Sequence, residues 1–194
     1  MNRTLKLKLA WAALVAGTLC ALLVWLFLAR PPTRWAALVG LAFLIPGRIQ
    51  GYFYRDLMIG RVQLEQGHPR EAIAFFERFI EALSLRPGLK KLLWLSWSVY
   101  TTDPEVMARN NLGAACLQLG ELEKARQWLE SARQLDPLAP LVHFNLALVT
   151  AVEGDSATAD ALLQQSVQLG LTRSWHDRFA QSLQRILAAV EGHR

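Results

Sequence analysis

The C-terminal half of the chain contains one segment twice, and this repetition limits the fold more than any other feature. Residues 106–137 align without gaps with residues 140–171, so that Asn145 stands 34 positions after Asn111. A fixed period of about 20 to 50 residues is typical of proteins that stack one supersecondary unit on the next. Each unit buries its apolar face only against a neighbour. We therefore expect a stack of helix pairs.

Small residues stand where the helices of one unit would meet or end. Gly113 and Ala147 would let the first helix of a pair approach the second closely. Gly120 and Gly154 follow the first helix, where a left-handed backbone is common. Pro137 would stop the second helix, because proline has no backbone N–H. The pattern predicts two short helices in each copy.

These residues resemble the signature of the tetratricopeptide repeat family. The first copy has the family's spacings at Leu112, Gly113, Gly120, Ala125, Leu129, Ala132 and Pro137. The second copy keeps Leu146, Ala147, Gly154 and Ala159 but has Leu171 where the family usually has proline. The resemblance covers roughly residues 53–190. It implies an all-α solenoid whose first helices line a concave, protein-binding surface.

A weaker third copy precedes these two. Its small and apolar residues have the spacings found in the first copy: Gly60, Gly67, Ala72 and Phe76. We place the repeats at about 53–87, 106–139 and 140–173, with an insertion at 88–105. The apolar residues of 174–190 recur with a helical period. This segment is predicted to be the capping helix that a solenoid requires, and residues 53–194 are predicted to form one domain.

The first 55 residues differ from the rest in charge and hydropathy. They hold seven basic residues and no acidic one, whereas residues 56–194 hold 14 basic and 16 acidic residues. Residues 9–29 carry no charge and would reach about 31 Å as a helix, the thickness of a bilayer core. A second apolar stretch covers residues 35–54. We predict an N-terminal transmembrane helical hairpin over residues 1–52, with spans at 9–29 and 35–54; one span followed by a re-entrant segment is the alternative.

The distribution of basic residues predicts an orientation. The flanks of the hairpin carry more Lys and Arg than its short loop, which favours cytoplasmic termini. We therefore predict an integral protein of the bacterial inner membrane with both termini in the cytoplasm. An envelope protein with the solenoid on the outer side is the alternative. The basic excess behind the net charge of +5 lies in the hairpin and its flanks, so it does not indicate a nucleic-acid partner.

The insertion contains an apolar aromatic cluster that follows two lysines. Its candidate interfacial residues are Lys90, Lys91, Trp94, Trp97 and Tyr100. Aromatic residues favour the headgroup level of a bilayer, and lysines attract anionic lipid. Membrane lipid is therefore one predicted partner. Packing against the first repeat and contact with a protein partner are the alternatives.

No pattern of catalytic or metal-binding residues is visible. No histidine lies within metal-ligand spacing of another His or of a Cys. Neither a phosphate-binding loop nor a nucleophile elbow occurs. We expect no enzyme activity, no metal, no cofactor and no small-molecule substrate. Cys116 is expected to be a core residue.

What remains is a binding surface on the first helices. The candidate groove residues are Arg61, Asn110, Asn111, Phe144, Asn145, Leu148 and Val152. The asparagines match an Asn-rich region of peptide-binding relatives, but the cations of that carboxylate clamp are not matched. An apolar groove suits an amphipathic helix, from a partner or from the chain itself. A hydrogen bond within the stack is the alternative role for Asn111 and Asn145.

The predicted function combines these features. We expect a membrane-anchored scaffold or adaptor that binds protein partners through the groove and supports the assembly or recruitment of a complex. One alternative is an accessory subunit of a larger membrane complex. An envelope assembly factor is the alternative for the outward-facing topology.

Overall fold

The structure is a computed structural model that describes residues 3–29, 48–95, 101, 103–172 and 174–192. Helices and their connections make up this described part, and it contains no strand, which confirms the all-α prediction. The helices are α1 (Arg3–Ala29), α2 (Arg55–Glu65), α3 (Pro69–Leu85), a 3₁₀ helix (Pro87–Leu95), α4 (Pro104–Gln118), α5 (Leu122–Leu135), α6 (Pro140–Val152), α7 (Ser156–Gln168) and α8 (Ser174–Glu191).

Helices α2 to α7 form three consecutive pairs. In each pair the first helix packs along the second, and the pairs are joined by contacts of α3 with α4 and of α5 with α6. The first helices also contact one another, α2 with α4 and α4 with α6. They therefore form a continuous surface, which we call the A face.

Local sequence signals explain where these helices begin. Pro69, Pro104 and Pro140 each occupy the start of a helix, where the missing N–H costs no hydrogen bond. Asp103 caps α4 by accepting a 2.8 Å bond from the backbone N–H of Glu105. Such a cap satisfies one of the free donors of the first turn and stabilises a helix by about 1 kcal/mol.

Glycines of the first helices receive side chains of the second helices. A Cβ atom at Gly113 would lie 2.4 Å from Cγ of Leu129, and one at Gly60 would lie 2.7 Å from Cε1 of Phe76. The small residue is therefore required by the packing of the pair. Leu129 and Phe76 are fully buried at these contacts.

The core of the first pair includes a residue from the predicted membrane hairpin. Tyr54 is 3% exposed, its ring meets Phe79 edge to face at 5.2 Å, and its hydroxyl donates a 2.9 Å bond to the carbonyl oxygen of Leu89. The assignment of Tyr54 to the end of a second membrane span was therefore wrong. Its ring is buried against α3, and its hydroxyl joins the segment before α2 to the 3₁₀ helix.

The expected localisation is also contradicted. A helix that crosses a bilayer needs about 20 consecutive apolar residues. No helix in the described part of the chain meets this requirement of length and apolarity. Of the predicted second span, residues 35–47 lie outside the described residues. The structure therefore does not support a transmembrane hairpin, nor an integral inner-membrane protein.

Candidate protein-binding groove

A groove of about 420 Å³ lies on the A face. The end of α2 forms one wall, α8 forms the other, and α4 and α6 form the floor. We call it the A-face groove. Its lining residues are Leu64, Glu65, Gly67, Ala114, Leu117, Gln118, Phe144, Asn145, Leu148, Ser182, Arg185 and Ile186.

The groove combines an apolar floor with a polar rim. Leu117, Phe144 and Leu148 are buried at its base. Glu65 and Gln118 are exposed at its edge. Surfaces of this composition bind a peptide segment through apolar contacts, while rim groups fix its register.

The asparagines of the predicted groove serve the stack itself. The side-chain amide of Asn145 donates a 2.9 Å bond to Oδ1 of Asn110, and Asn110 is only 7% exposed. This bond joins α4 to α6, so Asn145 forms the hydrogen bond within the stack that was the alternative role, and its partner is Asn110. Asn111 is half-buried on α4. Asn145 also lines the groove, so it contributes to both.

Of the apolar candidates, Phe144 packs directly against the C-terminal helix. Phe144 is 3% exposed, and its ring meets the ring of Phe179 edge to face at 5.7 Å. Val152 is half-buried at the edge of the same core. Arg61 lies outside the lining residues and forms a 3.6 Å ion pair with Glu65 one turn away on α2. The structure thus brings Phe144, Asn145 and Leu148 together and leaves Arg61 at the margin.

The segment predicted to cap the solenoid forms α8, which packs on the first helices of the stack. Its chief contacts are with α6 and α4, so it lies on the A face. Ile186 is 5% exposed within the core of the second and third pairs. Its C-terminal end crosses the turn after α4, where a Cβ atom at Gly120 would lie 3.1 Å from the backbone nitrogen of Val190. The chain therefore places an amphipathic helix of its own on the A face, beside the groove.

Some groove residues were missed by the sequence reasoning. Ser182, Arg185 and Ile186 of α8 form one wall, and Glu65 and Gln118 belong to the rim. The helical period of residues 174–190 was visible in the sequence and showed that one face of α8 is apolar. The period does not indicate which surface that face contacts.

Lys90, the first residue of the candidate interfacial cluster, pairs with carboxylates of its own chain. Its Nζ lies 2.7 Å from Oε2 of Glu105 and 3.1 Å from Oδ2 of Asp103, and Glu105 also pairs with Arg109 at 2.5 Å. Burial opposes the charge of Glu105, but the hydrogen bonds from Lys90 and Arg109 outweigh it and lower the pKa of the carboxyl. The ammonium group therefore anchors the 3₁₀ helix to the start of α4.

The rest of the interfacial cluster is only partly described. Lys91 is exposed. The side chains of Trp94, Trp97 and Tyr100 lie outside the described residues. A role for these three in lipid or partner contact stays a prediction.

The described side chains give no sign of reaction chemistry. Among them, no group of three or more His, Cys, Asp or Glu residues could hold a metal ion. Burial raises the pKa of the Cys116 thiol to about 11, which keeps it protonated near neutral pH. His143 is buried, and its Nε2 lies 2.8 Å from the carbonyl oxygen of Pro137, a contact that holds the turn before α6.

Helix pairs that pack closely at glycines, with a groove on the face formed by the first helices, define a helical-repeat protein of the kind that mediates protein–protein interactions. Residues 57–140 match the family model of the tetratricopeptide repeat, and the match covers the first two helix pairs. The chain therefore contains tetratricopeptide repeats within residues 57–140. Repeats of this family are typically non-catalytic and mediate contacts between proteins. A search of curated proteins found no match to the chain.

Proposed function

We propose that the protein is a scaffold that binds a segment of another protein in the A-face groove and thereby supports the recruitment or assembly of a complex. The observation that carries the proposal is the groove itself, which has a volume of about 420 Å³ and an apolar floor and lies open between α2 and α8. A scaffold needs a surface of this kind on a frame that does not change shape. The three packed helix pairs supply that frame.

The chemistry of the groove favours a peptide segment over a charged small ligand. Its floor is formed by Ala114, Leu117 and Leu148, which offer no charge to a phosphate or carboxylate. The charged rim residues Glu65 and Arg185 have opposite signs and are exposed. Exposed charges of this kind steer and orient a partner but add little affinity.

The chemistry of the groove does not point to a catalysed reaction. The Cys116 thiol is 2% exposed, with a pKa raised to about 11 by burial, so it does not provide a nucleophile. We infer a binding role without catalysis.

Site-specific photo-crosslinking in cells that naturally express the protein tests this function. A benzophenone amino acid replaces Gln118 at the groove rim or, as the matched control, Gln164 on α7; both glutamines are exposed. We expect a discrete crosslinked species from position 118, identifiable by mass spectrometry, and none from position 164. The same adducts from both positions, or none from 118, would overturn the proposal.

A further inference from the structure

We infer that α8 is an exchangeable occupant of the A face, and that the partner segment is an amphipathic helix that takes its place. The inference rests on the proposed function, since it names the kind of segment that the groove binds and the step that opens it. It is carried by the way in which α8 packs on α4 and α6.

The apolar face of α8 shows what the A face accepts. Phe179, Leu183, Ile186 and Val190 recur at helical spacing and pack against the core of the second and third pairs. Of these, Ile186 is buried, with 5% of its surface exposed, and the other three are half-buried. A helix with an aromatic residue followed two turns later by an aliphatic one therefore reproduces the contacts of Phe179 with Phe144 and of Ile186 with the core.

The third helix pair is complete before α8 begins. Leu171 is 3% exposed, and its backbone N–H donates a 3.0 Å bond to the carbonyl oxygen of Ser166. The chain is thus fixed at the end of α7 by a backbone hydrogen bond that does not involve α8. Ala147 and Leu163, which join α6 to α7, are buried in the same core. Departure of α8 leaves these contacts in place.

Helix α8 also narrows the open groove. Ser182, Arg185 and Ile186 form the wall that faces the end of α2. When α8 leaves, the A-face groove joins the surface that α8 had covered. The A face then offers a longer apolar surface on α4 and α6. A protein whose binding-competent state is minor binds its ligand more weakly in proportion to the population of that state. Release of α8 is therefore expected to raise the affinity for a partner helix.

The test uses the full chain and a labelled peptide of residues 174–191 with blocked ends, followed by fluorescence anisotropy. Ile186→Asp loosens the resident helix by placing a charge in the core, and Leu187→Asp is the matched control because Leu187 is 40% exposed. We expect the I186D protein to bind the peptide at least about tenfold more tightly than the wild-type and L187D proteins do. A peptide that carries Ile186→Asp should not bind.

A second measurement does not depend on any variant. Hydrogen exchange of the wild-type chain should show the amides of residues 182–190 exchanging at least about tenfold faster than those of α6, because α8 opens without the stack. Equal exchange in both helices would overturn the inference. So would equal peptide binding by I186D and L187D, or loss of cooperative unfolding in I186D, since α8 would then be an inseparable part of the core.

Two further results separate this inference from the function on which it rests. A crosslink at position 118 with no peptide binding by I186D leaves the scaffold function intact and overturns the exchange of α8. Peptide binding by I186D without any crosslink supports exchange and overturns the scaffold function. A concentration-dependent dimer of the wild-type chain would show that the α8 of a second copy occupies the groove, and it would overturn the assignment of a foreign helix.

Discussion

The side-chain amide of Asn145 donates a 2.9 Å hydrogen bond to Oδ1 of Asn110, and this bond joins the first helices of the second and third pairs. Asn145→Ala leaves the buried oxygen of Asn110 without this donor, so we expect the free energy of unfolding to fall by about 1–3 kcal/mol. Urea denaturation measures this free energy of unfolding. Asn111→Ala is the matched control, because Asn111 is not part of this bond. A double-mutant cycle of N110A and N145A without coupling would contradict the expectation.

Alanine substitutions at Gly120 and Gly154 distinguish the effect of backbone strain from the effect of losing the contact with α8. Both have a left-handed backbone, with φ of 73° and 93°, but a Cβ atom at Gly154 meets no atom within 4 Å, whereas one at Gly120 meets the backbone of Val190. Gly→Ala at either site should therefore cost about 1–2 kcal/mol of strain. Only G120A should speed the hydrogen exchange of residues 187–191. Equal exchange in both variants would mean that the contact at Gly120 does not hold the end of α8.

Gly113 tests the close approach of α4 and α5. The Cβ atom in Gly113→Ala would overlap Leu129, so we expect a loss of about 1–3 kcal/mol of unfolding free energy by overpacking. Gly88→Ala is the control, because a Cβ atom there meets nothing within 4 Å, and its effect should stay within about 0.5 kcal/mol. Thermal or urea unfolding compares the two. Similar values for both variants would contradict the packing argument.

The lowered pKa of the Glu105 carboxyl leads us to expect that the stability of the protein depends on pH. Its pKa is lowered, so its bonds to Lys90 and Arg109 contribute stability above the ordinary glutamate pKa of about 4.3. This contribution is lost as the pH falls through the lowered value. The difference in unfolding free energy between wild type and Glu105→Gln should thus be constant at pH 6–8 and shrink in more acidic solution.

Lys90→Met provides the control for that measurement. When Glu105→Gln is measured in a Lys90→Met background, the ammonium donor is absent. The change in unfolding free energy that Glu105→Gln causes should then depend less on pH. A difference between wild type and E105Q that does not change with pH would show that Glu105 gains no net stabilisation from its two partners.

Cys116 provides a probe of unfolding. It is buried, whereas Cys20 is exposed, and burial raises the pKa of the Cys116 thiol to about 11. In the Cys20→Ser protein at pH 8, we expect a disulfide reagent to react with Cys116 only as fast as the protein unfolds, and at once in urea. Rapid stoichiometric reaction of the folded protein would contradict the assignment of Cys116 to the core.

Sequence reasoning predicted the helix pairs because their contacts recur between neighbours in the chain. Gly113 and Gly120 stand at fixed distances from the residues that they approach or precede, so spacing alone shows why they must be small. The lining of the groove could be predicted only in part from such spacing. Phe144 and Leu148 were proposed for it by position and line it in the structure, but the sequence left open whether Asn145 bonds within the stack or faces a partner.

What the sequence by itself determined is local: three helix pairs, small residues at their crossings, and a final helix with one apolar face. Only the tertiary structure decided where that face lies. Ile186 and Val190 could have continued the stack on α7, but they pack on the A face, with Val190 beside Gly120. The same applies to Tyr54, which hydropathy assigned to a membrane and packing assigned to the core of the first pair. The physical reason is that periodicity shows that a face is apolar, whereas competition among all available apolar surfaces selects its partner.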